Sequence, residues 1–531
     1  MAQIKNDRYI TSVPNTAAAD NTYGYRNRGE FGDWQTNMDL ALSICRMIKE
    51  DGFDPQVIIE PTCGKGNFII AALMVFDTIE CVYGIDIYEP YIEDLKSKLQ
   101  GHDDRQSINL YAQNIFQFDF SGISECMRGK KTLIIGNPPW VTNSKLGGLG
   151  SLNVPEKSNY KSNRGIEAIT GKGNFDIAES ICNKMMLLSA GHNVRLAMLV
   201  KNSVVKNIVH AQKKENIFAN RIEQYNIDAG KEFDVSVSAS LLYASMGDTC
   251  TCTYTCQVKD FYTRRRINEY GWVGNSFVAD TFIYNSVSKI DGLSPLTWRS
   301  GLKHDCAKVM ELRREGDIYI NGLGEEVSIE DELIFPLIKS SDVKVGTMTS
   351  VKKHVIVTQK NTNEDTAQMK YKYPNAYAYL QKHSELLDGR GSVIYKKRPR
   401  FCLFGIGEYS FHRYKIVVSG LYKHARFMLI EPFEGKVVMA DDTCYTLGFD
   451  DYTIASALHR LLNSTEVQSF IRSLLFMDAK RAINKELLMR IDLLEAARII
   501  GEDRLGLHRE EFVYFTEKLK TSLQPSLFGS F

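Results

Sequence analysis

From about residue 31 to residue 250, short runs of β-branched and apolar residues take turns with stretches of helical period. "QVIIEP", "CVYGID", "NLYAQN", "KTLIIGNP", "VRLAMLV" and "RIEQYNID" read as strands, since a short continuous apolar run fits a strand covered on both faces. Between them, "GNFIIAALMVF", "EPYIEDLKSKLQ" and "FDIAESICNKMMLLSAG" carry apolar residues at helical spacing. Parallel strands need a crossover, and an amphipathic helix supplies one. The alternation therefore predicts an α/β fold with a mostly parallel sheet, and "ASLLYAS" is expected as a later strand of it.

The chain of 531 residues is too long for one core. Residues 1–30 are polar and expected to be loosely ordered, residues 31–250 form the α/β domain, and 251–290 are expected to link it to a second domain over 291–531. That second part has shorter strands and more aromatics, which suits a mixed α+β fold. Within the first domain, residues 142–173 form a Gly-, Ser-, Asn- and Lys-rich loop, expected to be mobile and functional at that length. The polar start "MAQIKNDRYITSVPN" and short apolar runs give no signal peptide or membrane span, so a cytoplasmic protein is expected. Eleven scattered cysteines fit a reducing compartment, and Cys250, Cys252 and Cys256 alternate as a strand would, so no metal is expected. A net charge of +1 gives no global nucleic-acid signature. Residues 351–430, however, carry 15 Lys and Arg against five Asp and Glu.

The residues with chemical potential sit at strand ends, where open α/β sheets bind ligands. In "IIEPTCGKGNF", Glu60 closes a strand, and Thr62, Gly64 and Gly66 make a tight turn into a helix. Alone this is equally a structural turn; the acid before it argues against a phosphate and for a ligand with a cationic part. Asp86, followed by Ile87, ends the next strand, where a carboxylate can accept from both ribose hydroxyls or simply cap a helix. Together Glu60 and Asp86 suggest S-adenosylmethionine. Asn114 and Ile115 end a third strand, fitting either an adenine contact or core packing. At the fourth, Asn137-Pro138-Pro139-Trp140 holds a side-chain oxygen and a carbonyl in a rigid turn beside a large ring. Two such acceptors can take both N–H bonds of an amino group attached to a base and aim its lone pair at a methyl sulfonium. Trp140 offers a face for stacking; a Pro-Pro turn with a core Trp is the competing reading, and the Asn-Pro-Pro-aromatic combination in this setting argues against it.

This motif set resembles the amino-methyltransferases acting on adenine N6 in DNA, in the order of the γ class, the TaqI-like group. The resemblance implies a Rossmann-like S-adenosylmethionine-dependent methyltransferase domain followed by a target-recognition domain. "GEFGDWQTNMDLALSI" resembles motif X, implicating Gln35 and Thr36 over the cofactor. "EPTCGKGNF" resembles motif I, with Glu60, Thr62, Gly64 and Gly66; Asp86 and Ile87 fall where the ribose acid belongs. Asn114 stands where motif III usually has Asp, and Trp140 where Tyr or Phe is commoner. "GNFDIAE" resembles motif V through Asn174 and Phe175. "GKEFDVSVSASLLY" resembles motif VIII, which implies Phe233 on the side of a flipped base opposite Trp140.

The basic, aromatic segment "YKKRPRFCLFGIGEYSFHRYK" then acquires a use. Lys396, Lys397, Arg398, Arg400, Arg413 and Lys415 are expected to contact double-stranded DNA. The expectation is a site-specific DNA adenine-N6 methyltransferase of a bacterial restriction-modification or orphan system, with a cognate restriction endonuclease as a partner. The competing readings are an RNA-adenine or protein-glutamine methyltransferase, or an inactive DNA-specificity subunit. No Pro-Asp…Asp/Glu-x-Lys arrangement precedes Lys339 in "EDELIFPLIKSSD", so a fused nuclease is not expected.

Overall fold

The computed structural model describes residues 35–101, 106–141, 176–215, 219–235, 237–247, 252–345, 351–396, 398–476 and 481–523. The chain divides into two compact units after Phe277.

The first unit is built on a ten-stranded sheet. Its strands are β1 (Val57–Glu60), β2 (Cys81–Asp86), β3 (Ser107–Ala112), β4 (Thr132–Gly136), β5 (Val194–Lys201), β6 (Arg221–Ile227), β7 (Ala239–Met246), β8 (Thr255–Asp260), β9 (Arg266–Val273) and β10 (Ser276–Val278). They lie in the order β10-β9-β8-β6-β7-β5-β4-β1-β2-β3. From β3 to β5 every pairing is parallel, while β7 runs antiparallel between β5 and β6. All residues of β1, β4 and β7 are buried, which is why those stretches read as unbroken apolar runs. Residues 255–278, expected as a linker, instead extend this sheet: β8 pairs parallel with β6, and β9 antiparallel with β8. β8 alternates between buried and half-buried residues and β9 is buried only at Tyr270 and Gly271, so neither presents a continuous apolar run.

Helices α1 (Met38–Glu50), α2 (Asn67–Val75), α3 (Glu89–Lys98), α4 (Ser121–Met127), α5 (Ile177–Leu188), α6 (Asn202–Glu215) and the short α7 (Ala229–Phe233) complete the unit. Sequence order runs β1, β2, β3 outward to one edge and then returns to β4 on the other side of β1. The ends of β1 and β4 therefore flank a topological switch point, the place where such sheets take ligands.

The second unit holds two sheets. One has six strands: Glu311–Glu315, Ile318–Asn321, Glu326–Val327, Ile334–Ile338, Lys353–Ile356 and Met439–Ala440. The other has four, Arg299–Ser300, Tyr414–Ser419, Phe427–Ile430 and Cys444–Phe449, all antiparallel. Helices between and after these strands make it a mixed α+β unit, with Trp298 and Phe470 fully buried in its interior. No helix among the described residues is long and apolar enough to cross a membrane. The stretches 1–34 and 142–175 lie outside the described residues, so the loop over 142–173 and the pair Asn174 and Phe175 do too.

Candidate active site

Glu60 ends β1 with its side chain against β4: a Cβ on Gly136 would lie 3.6 Å from its Cγ. The carboxyl is almost completely buried, and burial, with Asp86 nearby, pushes its pKa well above the usual carboxylate range. Its Oε2 and the Thr62 hydroxyl are buried with no hydrogen-bond partner among the described residues. An interior acceptor left in that state is costly unless a ligand answers it.

The turn after Glu60 is closed by glycine geometry. Gly66 (φ 78°) starts α2, and a Cβ there would come within 2.3 Å of Leu95; at Gly64 (φ 49°) it would meet the Gln35 amide at 2.7 Å. Asp86 stands at the tip of β2, where Oδ2 accepts from Gly64 N at 2.8 Å and Oδ1 from Tyr88 N at 2.9 Å. The acid shapes the turn as well as facing the crevice. Ile87 beside it is exposed. Asn114 uses Oδ1 on Phe116 N at 2.9 Å, an Asx turn, and Ile115 is buried.

Gln35 and Thr36 join this turn from the segment before α1. Gln35 Oε1 accepts from Lys65 N at 3.2 Å, and Asn67 Nδ2 donates to the Thr36 carbonyl at 2.7 Å. Thr36 Oγ1 in turn accepts from Asn137 Nδ2 at 3.3 Å. The ends of β1, β2 and β4 and the residues before α1 thus converge on one place.

Asn137 and Pro139 are half-buried at the tip of β4, with Pro138 buried between them. Trp140 follows, only 7% exposed, its Nε1 donating to the Leu199 carbonyl of β5 at 3.1 Å. Phe233, the last residue of α7, meets it edge to face, with ring centroids 5.2 Å apart and planes at 69°. In this conformation the two rings expected to flank a base touch one another, whereas two faces enclosing a base stand roughly 7 Å apart.

Two residues with a part in this geometry escaped the sequence reading. Lys201, at the C-terminal end of β5, donates through Nζ to the Trp140 carbonyl at 3.0 Å and to Asp176 Oδ2 at 2.7 Å. Asp176 also caps α5 by accepting from Ala178 N. The signal was available, since Lys201 occupies the same strand-end position as Glu60, Asp86 and Asn137.

The expected DNA residues fare unevenly. Lys415 lies inside its strand, 3% exposed, donating to the His412 carbonyl at 2.8 Å, and burial pushes its pKa down to about 8. It is therefore corrected from a phosphate contact to an interior residue. Arg400 forms a two-point pair with Asp388 at 2.6 and 3.2 Å, and Arg398 bonds Asn363. Lys396 and Arg413 are exposed, and Lys397 lies outside the described residues. Cys256 is buried in β8, and no cluster of His, Cys, Asp and Glu fit for a metal occurs among the described residues.

With this geometry in hand, comparison with known proteins adds a relationship. No protein-family model matches the chain. It is 39% identical over 475 residues to the Type II methyltransferase M.NspV of Nostoc sp. (strain ATCC 29411 / PCC 7524), spanning 89% of this chain and 98% of that protein. Among solved structures, the Type IIL restriction-modification enzyme MmeI in complex with DNA is similar with a TM-score of 0.47 and 11% identity over 94% of this chain and 72% of that one. The type IIG restriction endonuclease BpuSI gives a TM-score of 0.38 and 11% identity over 94% of this chain and 66% of that one.

Proposed function

The chain belongs to the Type II methyltransferases of restriction-modification systems, and on that premise we propose that it transfers a methyl group from S-adenosylmethionine to N6 of an adenine in duplex DNA. The observation that carries this reading is the Asn137-Pro138-Pro139-Trp140 turn standing beside the buried acid Glu60 at the sheet's switch point.

S-adenosylmethionine, when bound, supplies an electrophilic methyl group on a sulfonium centre. The residues present fit it. Glu60 and Thr62 offer buried acceptors to its cationic amino acid part, the Gly64–Gly66 turn lets it approach the backbone, and Asp86 faces its ribose with the exposed Ile87 alongside. Gln35 and Thr36 cover the turn. Ion pairing with a cation would bring the Glu60 pKa back down, so the cost of burying that carboxylate is offset on binding.

Asn137 Oδ1 and the Pro138 carbonyl accept the two N–H bonds of the adenine amino group. That draws the nitrogen lone pair out of conjugation, and two prolines hold both acceptors in place. Trp140 supports the turn from beneath through its bond to β5. Phe233 moves off Trp140 to stack on the base once it has left the duplex, which costs about a few kcal/mol. The second unit reads the sequence, using Lys396 and Arg413 at its surface.

Incubating plasmid DNA with the protein and radiolabelled S-adenosylmethionine, then digesting to nucleosides, tests the proposal. Label in N6-methyl-2′-deoxyadenosine supports it. Label in a methylcytosine corrects the base, and label in added RNA or protein alone overturns the substrate.

A further inference from the structure

Three consecutive residues before α1 reach three separate parts of the site. Gln35 lies on the Gly64 turn, Thr36 accepts from Asn137, and Asn37 reaches the helix that carries Phe233. We propose that Asn37 is a positioning residue, and that its bond to Glu232 couples occupation of the cofactor turn to the placing of Phe233 against the target base. The inference rests on the methyl-transfer reading above and deepens it with a specific linkage.

Asn37 uses both ends of its amide. Oδ1 caps α1 by accepting from Leu40 N at 2.7 Å, which fixes the side chain, and Nδ2 donates to Glu232 Oε2 at 3.0 Å. The other oxygen of Glu232 accepts from the Tyr262 hydroxyl at 2.8 Å. Glu232 immediately precedes Phe233 in α7, which has five residues and ends at Asp234 in the left-handed region (φ 56°). A helix of little more than one turn has no stability of its own, so contacts such as this one decide where its last residue stands. The neighbours of Asn37, Gln35 and Thr36, are bound to the cofactor turn through Lys65 N and Asn67 Nδ2. A ligand that orders them therefore biases the same short helix that must move for Phe233 to meet a base. By linkage, the base then tightens the cofactor to the same degree.

The test uses the full chain and a duplex carrying 2-aminopurine in place of the adenine that sequencing identifies as modified. Duplex affinity and 2-aminopurine fluorescence are measured with and without S-adenosylhomocysteine. The parent protein should bind the duplex at least about fivefold more tightly with the cofactor product present. Asn37→Asp keeps the helix cap but sets a carboxylate against Glu232. It should bring that factor to about one while changing cofactor affinity without DNA by less than about twofold. Adding Glu232→Gln restores a donor–acceptor pair in reverse and should recover the coupling. No coupling in the parent, an unchanged factor in Asn37→Asp, or failure of Glu232→Gln to rescue overturns the inference alone. If the parent modifies no base, the functional reading falls and this inference with it.

Discussion

Trp140 and Phe233 lie edge to face with centroids 5.2 Å apart, so the two rings proposed to meet a base contact one another. Trp140 is anchored to Leu199, whereas Phe233 ends a five-residue helix, so the proposal assigns the movement to Phe233. Phe233→Ala should lower kcat/KM on a fully paired duplex roughly 10- to 100-fold, the loss of one stacked base. On a duplex whose target adenine is mismatched the loss should be smaller, because less unstacking energy has to be recovered. Equal losses on both substrates contradict a stacking role.

If Glu60 meets the cationic part of the cofactor as proposed, cofactor binding should depend on pH. Its raised pKa favours the protonated acid in the free protein, and a bound cation would displace that proton. S-adenosylmethionine should therefore bind more tightly as pH rises from the ordinary carboxylate range, with proton release measurable by calorimetry in buffers of different ionisation enthalpy. The stability of the free protein runs the other way. The folded state binds this proton more tightly than the unfolded chain, so stability falls as pH climbs above the unfolded carboxylate value. Glu60→Gln should remove the proton release and flatten that slope. A release that persists in Glu60→Gln assigns it elsewhere.

Lys201 holds the carbonyl that follows the two prolines, braced by Asp176. Lys201→Met should loosen the turn and lower kcat by about tenfold or more, since small misplacements of reacting groups are costly. Cofactor affinity should stay near that of the parent, because Lys201 bonds the Asn-Pro-Pro-Trp turn rather than Glu60 or the glycine turn. Lys201→Arg keeps the charge and should recover part of the rate. A matching fall in cofactor affinity would make Lys201 a general fold residue.

In the second unit, Lys396 and Lys415 should separate cleanly. Lys396→Ala should weaken DNA binding and reduce the dependence of log affinity on log salt by about 0.9. Lys415→Met replaces an interior amine already pushed down to about 8 by burial. It should leave the salt slope unchanged and alter thermal stability instead. A flattened slope in Lys415→Met would return this residue to the DNA surface.

Much of the first unit was legible because its chemistry sits at strand ends. A strand end is marked in sequence by an apolar run that stops, so Glu60, Asp86, Asn114 and Asn137 could each be placed before any geometry was known. Contacts between distant segments were not legible. Nothing local says that Asn37 meets Glu232, that Lys201 reaches the Trp140 carbonyl, or that Phe233 rests on Trp140. The strand β9 was missed because polar and exposed residues break its apolar run, whereas the Cys alternation leading into β8 did read as a strand. Lys415 shows the limit of charge patterning: residues 415–419 of its strand are all buried, so both faces are covered, which the charge run alone does not reveal.

Asn137 is proposed to direct methyl transfer to adenine N6 in DNA. Long-read sequencing with modified-base detection tests it most directly, on DNA from a methylation-free host expressing the protein or its Asn137→Ala variant. One sequence motif carrying N6-methyladenine, lost with a variant that still binds S-adenosylmethionine, is the predicted result. A folded, cofactor-binding parent that leaves the DNA unmodified, or an Asn137→Ala variant that modifies the same motif as fully, would contradict it.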